Sequence, residues 1–152
     1  MIPVIHTPSI PAMTSDAVAK VRELEGVLRE LPQVEIATEH VLHAGLYART
    51  IRIPAGVVLT GVFIIIPTML VVHGHATAYI GGESIDLVGH QVIPASAGRK
   101  QAFVAHADTY LTMVFATKAK TVEEAEAEFT DEVHLLFSRK PGAINSTNIT
   151  GE

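Results

Sequence analysis

The chain has 152 residues, of which 48% are hydrophobic, 18% charged and 5% aromatic. That is enough for one domain with a buried core, and a mean hydropathy of +0.33 excludes disorder as its main state. No cysteine is present, which excludes disulfide scaffolds, thiol nucleophiles and Cys-based metal centres, and a net charge of −5 without any basic block argues against a nucleic-acid partner.

Residues 1–13 read as an extended arm, because Pro3, Pro8 and Pro11 disfavour helix. The arm lacks the basic start of a secretory signal, so a soluble protein of intracellular origin is expected. Helix one follows. Thr14 or Ser15 caps it, Asp16 lies in its first turn, and Val18, Val21, Leu24, Leu28 and Leu31 form its apolar stripe. Pro32 ends it, and Gly26 inside it costs about 1 kcal/mol relative to Ala.

From residue 34 to 116 the texture is that of short strands separated by Gly and Pro. Strands are expected over 34–38, 42–46, 47–53, 57–63, 69–73, 76–80, 83–87, 91–93, 101–105 and 110–116, with Gly81-Gly82 as a tight hairpin turn. The segment holding His40 and His43 looks turn-like, and Gly74 looks like a strand break. No βαβ alternation is present, so an antiparallel sandwich or small barrel is expected.

Helix two is expected over 121–139. Thr121 and Glu124 form a capping box, and Val122, Ala125, Phe129, Val133 and Leu136 form its buried stripe. Pro141-Gly142 stops it. Residues 141–152 form a polar tail, whose sequons at Asn145 and Asn148 are coincidental without a secretion signal. The domain reading is an arm (1–13), one domain with flanking helices (14–140) and a tail (141–152).

Pro54-Ala55-Gly56, Val72-His73-Gly74, the hairpin over 76–83 and the segment from Gly89 to Ala95 together resemble the cupin family. The resemblance implies a mostly β, cupin-like jelly roll with an N-terminal and a C-terminal helix. Its metal-ligand positions would fall on Val62, Phe63 and Ile64, then Thr68 or Met69, with the last near Arg99, Lys100 or Gln101. Divalent ions need imidazole or carboxylate lone pairs, so no cofactor and no ordinary metal-cupin activity is expected.

Other chemistry is sparse. His73 and His75 share one strand face at i, i+2, and His90 and His106 can approach them in a barrel, which would make a relocated metal site for an enzyme. A small-molecule or sugar pocket would need Phe63, Tyr79, Phe103 and Phe115. The 94–100 loop offers backbone N–H groups with Arg99 and Lys100 as an anion cradle, or else these cations pair with acidic groups such as Glu83 or Asp108.

Within the run over 57–72, both faces are apolar over 62–66 and again over 69–72, where a half-exposed strand alternates. It needs cover from one of the chain's own helices or from another subunit. Its apolar part over 62–72 is too short for the roughly 20 residues of a membrane span, so no membrane partner is expected.

Residues 31–36, 43–51, 53–56, 94–103 and 121–126 further resemble a group of jelly-roll proteins of tailed bacteriophages. That resemblance implies a non-enzymatic capsid cement (decoration) protein. Its partners would be the major capsid protein and itself, as a homodimer or other homo-oligomer. It would be made in the bacterial host cytoplasm and sit on the virion exterior. The interface residues expected are Ile2, Val4 and Ile5 in the arm, Phe63, Ile65 and Met69 in the apolar run, and Ile144 and Ile149 in the tail.

Overall fold

The fold was analysed on a computed structural model that describes residues 8–151. Ile2, Val4 and Ile5 lie outside the described residues. Thr14 is the N-cap of α1 (Ser15–Arg29), its hydroxyl accepting the Ala17 N–H at 3.2 Å. Ala17 and Val21 are the buried positions of this helix, whereas Leu31, counted in the expected stripe, is 52% exposed beyond the helix end.

Eight strands follow: β1 (Thr38–His43), β2 (Leu46–Ile53), β3 (Val58–Thr60), β4 (Thr68–Tyr79), β5 (Ser84–Ala95), β6 (Ala102–Ala105), β7 (Thr109–Ala116) and β8 (Asn145–Ile149). The α2 helix (Val122–Phe129) lies between β7 and β8. Several expected boundaries are corrected. His40 and His43 belong to β1, and the turn lies at Ala44-Gly45, both with positive φ. Residues 34–37 are not a strand, and only 58–60 of the 57–63 segment pair regularly.

Gly74 does not break its strand. It lets one 12-residue strand bend. Gly74 pairs with Gly89 in the β4–β5 hairpin, and both have positive φ. A Cβ on Gly74 would lie 2.7 Å from the Asp108 carbonyl oxygen and 2.8 Å from the Thr109 Cα, so only glycine lets the β6–β7 turn press against β4 here. At this bend the far edge of β4 changes partner: residues 69–73 pair with β7 and residues 76–79 with β6. One ribbon thereby joins the two halves of a single curled eight-stranded sheet, a larger sheet β5-β4-β7-β2-β1-β8 and a smaller sheet β5-β4-β6-β3. Gly81 and Gly82, both with positive φ, make the tight turn expected between β4 and β5.

The core lies between the sheets and includes Ile53, Leu70, Val72, Leu87, Ile93, Phe103 and Leu111. Ile10 joins it at 0% exposure and forms a parallel bridge to Ala95, so the end of the proline-rich segment is part of the barrel. A second cluster, with Tyr47, Met113, Phe115 and Phe129, fills the end of the larger sheet beneath α2.

Helix two is shorter than its pattern suggests. It ends at Phe129 because Thr130 turns extended and donates its hydroxyl to the Phe63 carbonyl at 2.7 Å. Two single 3₁₀ turns, Val133–Leu135 and Phe137–Arg139, continue the path. The polar tail is also structured, since β8 adds to β1 as a parallel edge strand. Among the described residues no helix is long and apolar enough to cross a membrane.

Candidate functional site

The barrel holds a half-open cavity of about 140 Å³. Its walls are mostly apolar, with Leu59, Leu70, Phe103, Leu111 and Met113 prominent. The sequence-mapped metal positions do converge here: Val62, Ile64, Arg99 and Gln101 all line it. The other mapped positions do not. Met69 is outside the barrel and Lys100 turns toward α1. The expected aromatic lining is corrected too, because of Phe63, Tyr79, Phe103 and Phe115 only Phe103 reaches the cavity, joined by Phe129 and Phe137.

Arg99 is 2% exposed and has no carboxylate partner among the described residues. One guanidinium nitrogen donates to the Ser96 carbonyl at 2.7 Å and another to the Thr68 hydroxyl at 2.8 Å. Its Nε and the Gln101 Nε2 are buried without a hydrogen-bond partner. Burial pushes Arg99 down to about 10, which leaves it cationic at neutral pH.

A second arginine on the same cavity is fully compensated. Arg49 donates to Glu126 at 2.7 Å and to the Ser138 hydroxyl at 3.0 Å. Arg139 also donates to Glu126 at 2.7 Å, and Ser138 completes the carboxylate's set. Burial pushes the Glu126 carboxyl up, but the hydrogen bonds from Ser138, Arg139 and Arg49 outweigh it and hold the group below its ordinary value. The network runs on through Tyr47, whose hydroxyl lies 3.3 Å from Arg49 and 2.6 Å from His40 Nδ1. His40 Nε2 meets Asn145 Oδ1 at 2.7 Å, and the Asn145 amide donates to the Ser138 carbonyl at 3.1 Å. These partners require a neutral His40 that accepts at Nδ1 and donates at Nε2. Burial lowers the His40 pKa and raises that of Tyr47 to about 12. The chain ties β1, β2, α2 and β8 together.

Lys100 is 0% exposed and is neither a solvated cation nor part of an anion cradle. It donates to Glu25 of α1 and to the Gly61 carbonyl, each at 2.8 Å. Glu132 accepts from Arg22 and from the Phe63 N–H, which holds the 62–66 run against the post-helix segment. The expected partners lie elsewhere, with Asp108 paired to Arg52 and capping the Ala55 N–H.

The four histidines form two pairs rather than one site. His73 and His90 stand opposite each other with ring centroids 6.2 Å apart; His75 and His106 are 4.6 Å apart on the other side of the Gly74 bend. Asp86 joins the second pair, and potential ligand atoms of His75, Asp86 and His106 lie within 4.8 Å of one another. Sequence reading had not named Asp86. The signal was present, because the Gly81-Gly82 turn fixes a register that sets Thr77 against Asp86.

The expected interface residues are placed separately. Ile65 is 37% exposed, Met69 41%, Ile144 52% and Ile149 50%, while Phe63 is half-buried. Met69 belongs to a wider feature. Directly paired residues share a sheet face, so the register aligns Pro94, Met69, Val114, Ala48 and Val41 in one row across five strands. Val92, Val71, Thr112, Thr50 and the exposed Glu39 form the next row. None of these residues is buried; Pro94, Met69, Val41 and Val92 are exposed, and Val71, Val114 and Ala48 are half-buried.

No family model matches the sequence, and no curated protein is similar to it. Solved structures are similar in fold. The chain aligns with a salicylate 1,2-dioxygenase from Pseudaminobacter salicylatoxidans at 16% identity and a TM-score of 0.50, covering 76% of this chain and 35% of that one. KdgF from Halomonas sp. aligns at 21% identity and a TM-score of 0.46, covering 58% and 86%. A cupin superfamily protein from Desulfitobacterium hafniense aligns at 13% identity and a TM-score of 0.45, covering 58% and 84%. At such identities the likeness is one of fold, and the fold of this chain is a mostly β, cupin-like jelly roll with two helices.

Proposed function

We propose that the chain is a non-enzymatic structural protein: a capsid cement protein of a tailed phage, on the exterior of the head, bridging major capsid subunits and associating with itself. The observation that carries this reading is the apolar outer face of the larger sheet. An antiparallel sheet facing water ordinarily presents polar side chains there, whereas this one sets an apolar patch of Pro94, Met69, Val114, Val41, Val92 and Val71 beside Thr112, Thr50 and Glu39. Surfaces of this kind mark protein contacts. The exposed Ile65, Ile144 and Ile149 and the sequence resemblance to phage jelly-roll proteins support the same reading. The decisive experiment quantifies the protein against the major capsid protein in purified particles. A fixed stoichiometry, lost in a folded Met69→Glu/Val92→Glu variant, is expected; absence of the wild-type protein from particles overturns the reading.

One observation favours a second reading, a small-molecule-binding barrel. Arg99 lacks a counter-charge, and Arg99 Nε and Gln101 Nε2 lack partners on the wall of an apolar cavity. The volume approaches that of an engineered apolar cavity of about 150 Å³ that admits benzene. The matching ligand is a monocarboxylate with a small apolar body. Benzoate is the probe: a rise in Tm that Arg99→Met abolishes supports this reading, and an unchanged Tm at saturating benzoate removes it.

A further inference from the structure

The outer face of the smaller sheet carries a constellation that the assembly reading does not use. His75 and His106 are fixed relative to each other through the backbone. The His75 carbonyl accepts from the His106 N–H at 2.9 Å and from the Ala107 N–H at 3.3 Å, and the His75 N–H donates to the Thr109 hydroxyl at 3.2 Å. The close approach at Gly74 makes this clamp possible. It leaves the two imidazoles adjacent, 4.6 Å between centroids and tilted by 51°.

Asp86 arrives from the neighbouring strand by register alone. The Thr77 hydroxyl stands between Asp86 and His106. It donates to Asp86 Oδ1 at 2.7 Å and lies 2.7 Å from His106 Nε2. A hydroxyl has one proton to give, so His106 Nε2 is the donor to Thr77. Thr77 thus fixes one carboxylate and one imidazole relative to each other, and supports of this kind tune a metal site.

We propose that His75, Asp86 and His106 bind one divalent transition-metal ion, Zn²⁺ being the best match, on the outside of the barrel. Two imidazoles and one carboxylate suit Zn²⁺, Co²⁺ or Ni²⁺ and disfavour Mg²⁺ and Ca²⁺, which prefer all-oxygen sets. Tetrahedral Zn²⁺ with bonds of about 2.0–2.1 Å holds ligand atoms roughly 3.3 Å apart. The three potential ligands already lie within 4.8 Å, and two of the side chains are exposed and free to close in. The fourth position faces solvent. The ligands come from β4, β5 and the turn after β6, so a bound ion staples the corner where the ribbon passes from one sheet to the other. His73 and His90 have no comparable carboxylate and stay outside the site. The inference stands apart from the assembly reading and from the barrel cavity.

The test is zinc chloride titrated into the chelator-stripped full chain, followed by calorimetry and thermal unfolding. One ion per chain and a rise in Tm are expected. His106→Ala and Asp86→Asn should each weaken binding at least tenfold. Asp86→Asn preserves shape, so it decides the matter if His106→Ala fails to fold. Thr77→Val should weaken binding about tenfold by freeing the ligands it orients, whereas His73→Ala and His90→Ala should leave it unchanged. Absence of binding by the wild-type chain, or binding indifferent to Asp86→Asn, overturns the proposal.

Discussion

Two arginines line one cavity and are treated in opposite ways. Arg49 meets the Glu126 carboxylate, which also takes Arg139 and Ser138, and its network extends through Tyr47 and His40 to Asn145 on the last strand. Arg99 is more deeply buried and meets only a carbonyl, a hydroxyl and a thioether sulfur. A paired buried charge whose partners are satisfied specifies geometry, while one without a counter-charge carries a desolvation cost that neutral hydrogen bonds offset only in part. The first arrangement is a fastening for the C-terminal segment. The second costs stability and is retained beside two unused donors, which is the pattern of a group that serves a ligand or a partner.

The largest effect comes from breaking the compensated side. Glu126→Gln leaves two guanidinium groups facing an amide, and the loss of a buried ion-pair partner costs about 3–5 kcal/mol. Urea denaturation should show this as a lower midpoint with an unchanged slope. A loss below about 1 kcal/mol would mean that Arg49 and Arg139 find other partners.

Acid attacks the same side. Glu126 in the folded chain titrates below its ordinary value, so the unfolded chain takes up the proton first. This contribution is fully present above the unfolded pKa and is lost as pH falls through the folded one. His40 has the same sign, because burial lowers its folded pKa below that of an ordinary imidazole and the unfolded chain again binds the proton first. Thermal unfolding should therefore show Tm declining once pH drops below about 6.5, with a steeper fall in the carboxylate range. His40→Gln should remove the upper part of the decline, and Glu126→Gln should flatten the lower part.

A smaller loss is expected from Tyr47→Phe. It removes one hydroxyl and strands the His40 Nδ1 acceptor in a buried position, at a cost of about 1–3 kcal/mol. Chemical denaturation measures it, and His40→Phe in the Tyr47→Phe background should recover part of the loss if the stranded nitrogen is the cause.

Sequence reading reaches these two sides unequally. Helix α1 was legible from its Thr14 cap and its stripe, and the β4–β5 hairpin from Gly81-Gly82, because local backbone chemistry decides them. An antiparallel sandwich or barrel was legible from short strands between Gly and Pro, and the jelly roll only through the resemblance carried by Pro54-Ala55-Gly56 and the segment from Gly89 to Ala95. The end of α2 was not, because the Thr130 hydroxyl goes to the Phe63 carbonyl, a contact across 67 positions. Strand β8 was hidden for a related reason: all five of its residues are exposed and polar or solvent-facing, and only its pairing with β1 makes it a strand. Lys100 read as a surface cation, and its burial depends on Glu25 of α1, far away in the chain. Asp86 was within reach, since the hairpin register opposes it to Thr77. His106 meets them only because Gly74 admits the turn after β6, a packing fact that spacing does not encode.

The smallest expected effect is the sharpest test of the comparison. Arg99→Met exchanges an uncompensated cation for an apolar side chain of similar length on a wall made mostly of apolar groups. Removal of the buried charge favours the folded state. Against it, the buried Thr68 hydroxyl loses the donor that Arg99 supplied, at a cost of about 1–3 kcal/mol, while the carbonyl of the exposed Ser96 can turn to water. The two terms are of similar size and opposite sign, so stability should stay within about 1 kcal/mol of wild type, in contrast to Glu126→Gln. Urea denaturation of the two variants side by side measures the difference directly. If Arg99→Met costs as much as Glu126→Gln, Arg99 is a structural fastening like Arg49, and the case for a carboxylate in the cavity falls with it. If stability is unchanged while benzoate no longer raises Tm, Arg99 serves the ligand and leaves folding to the other side of the barrel.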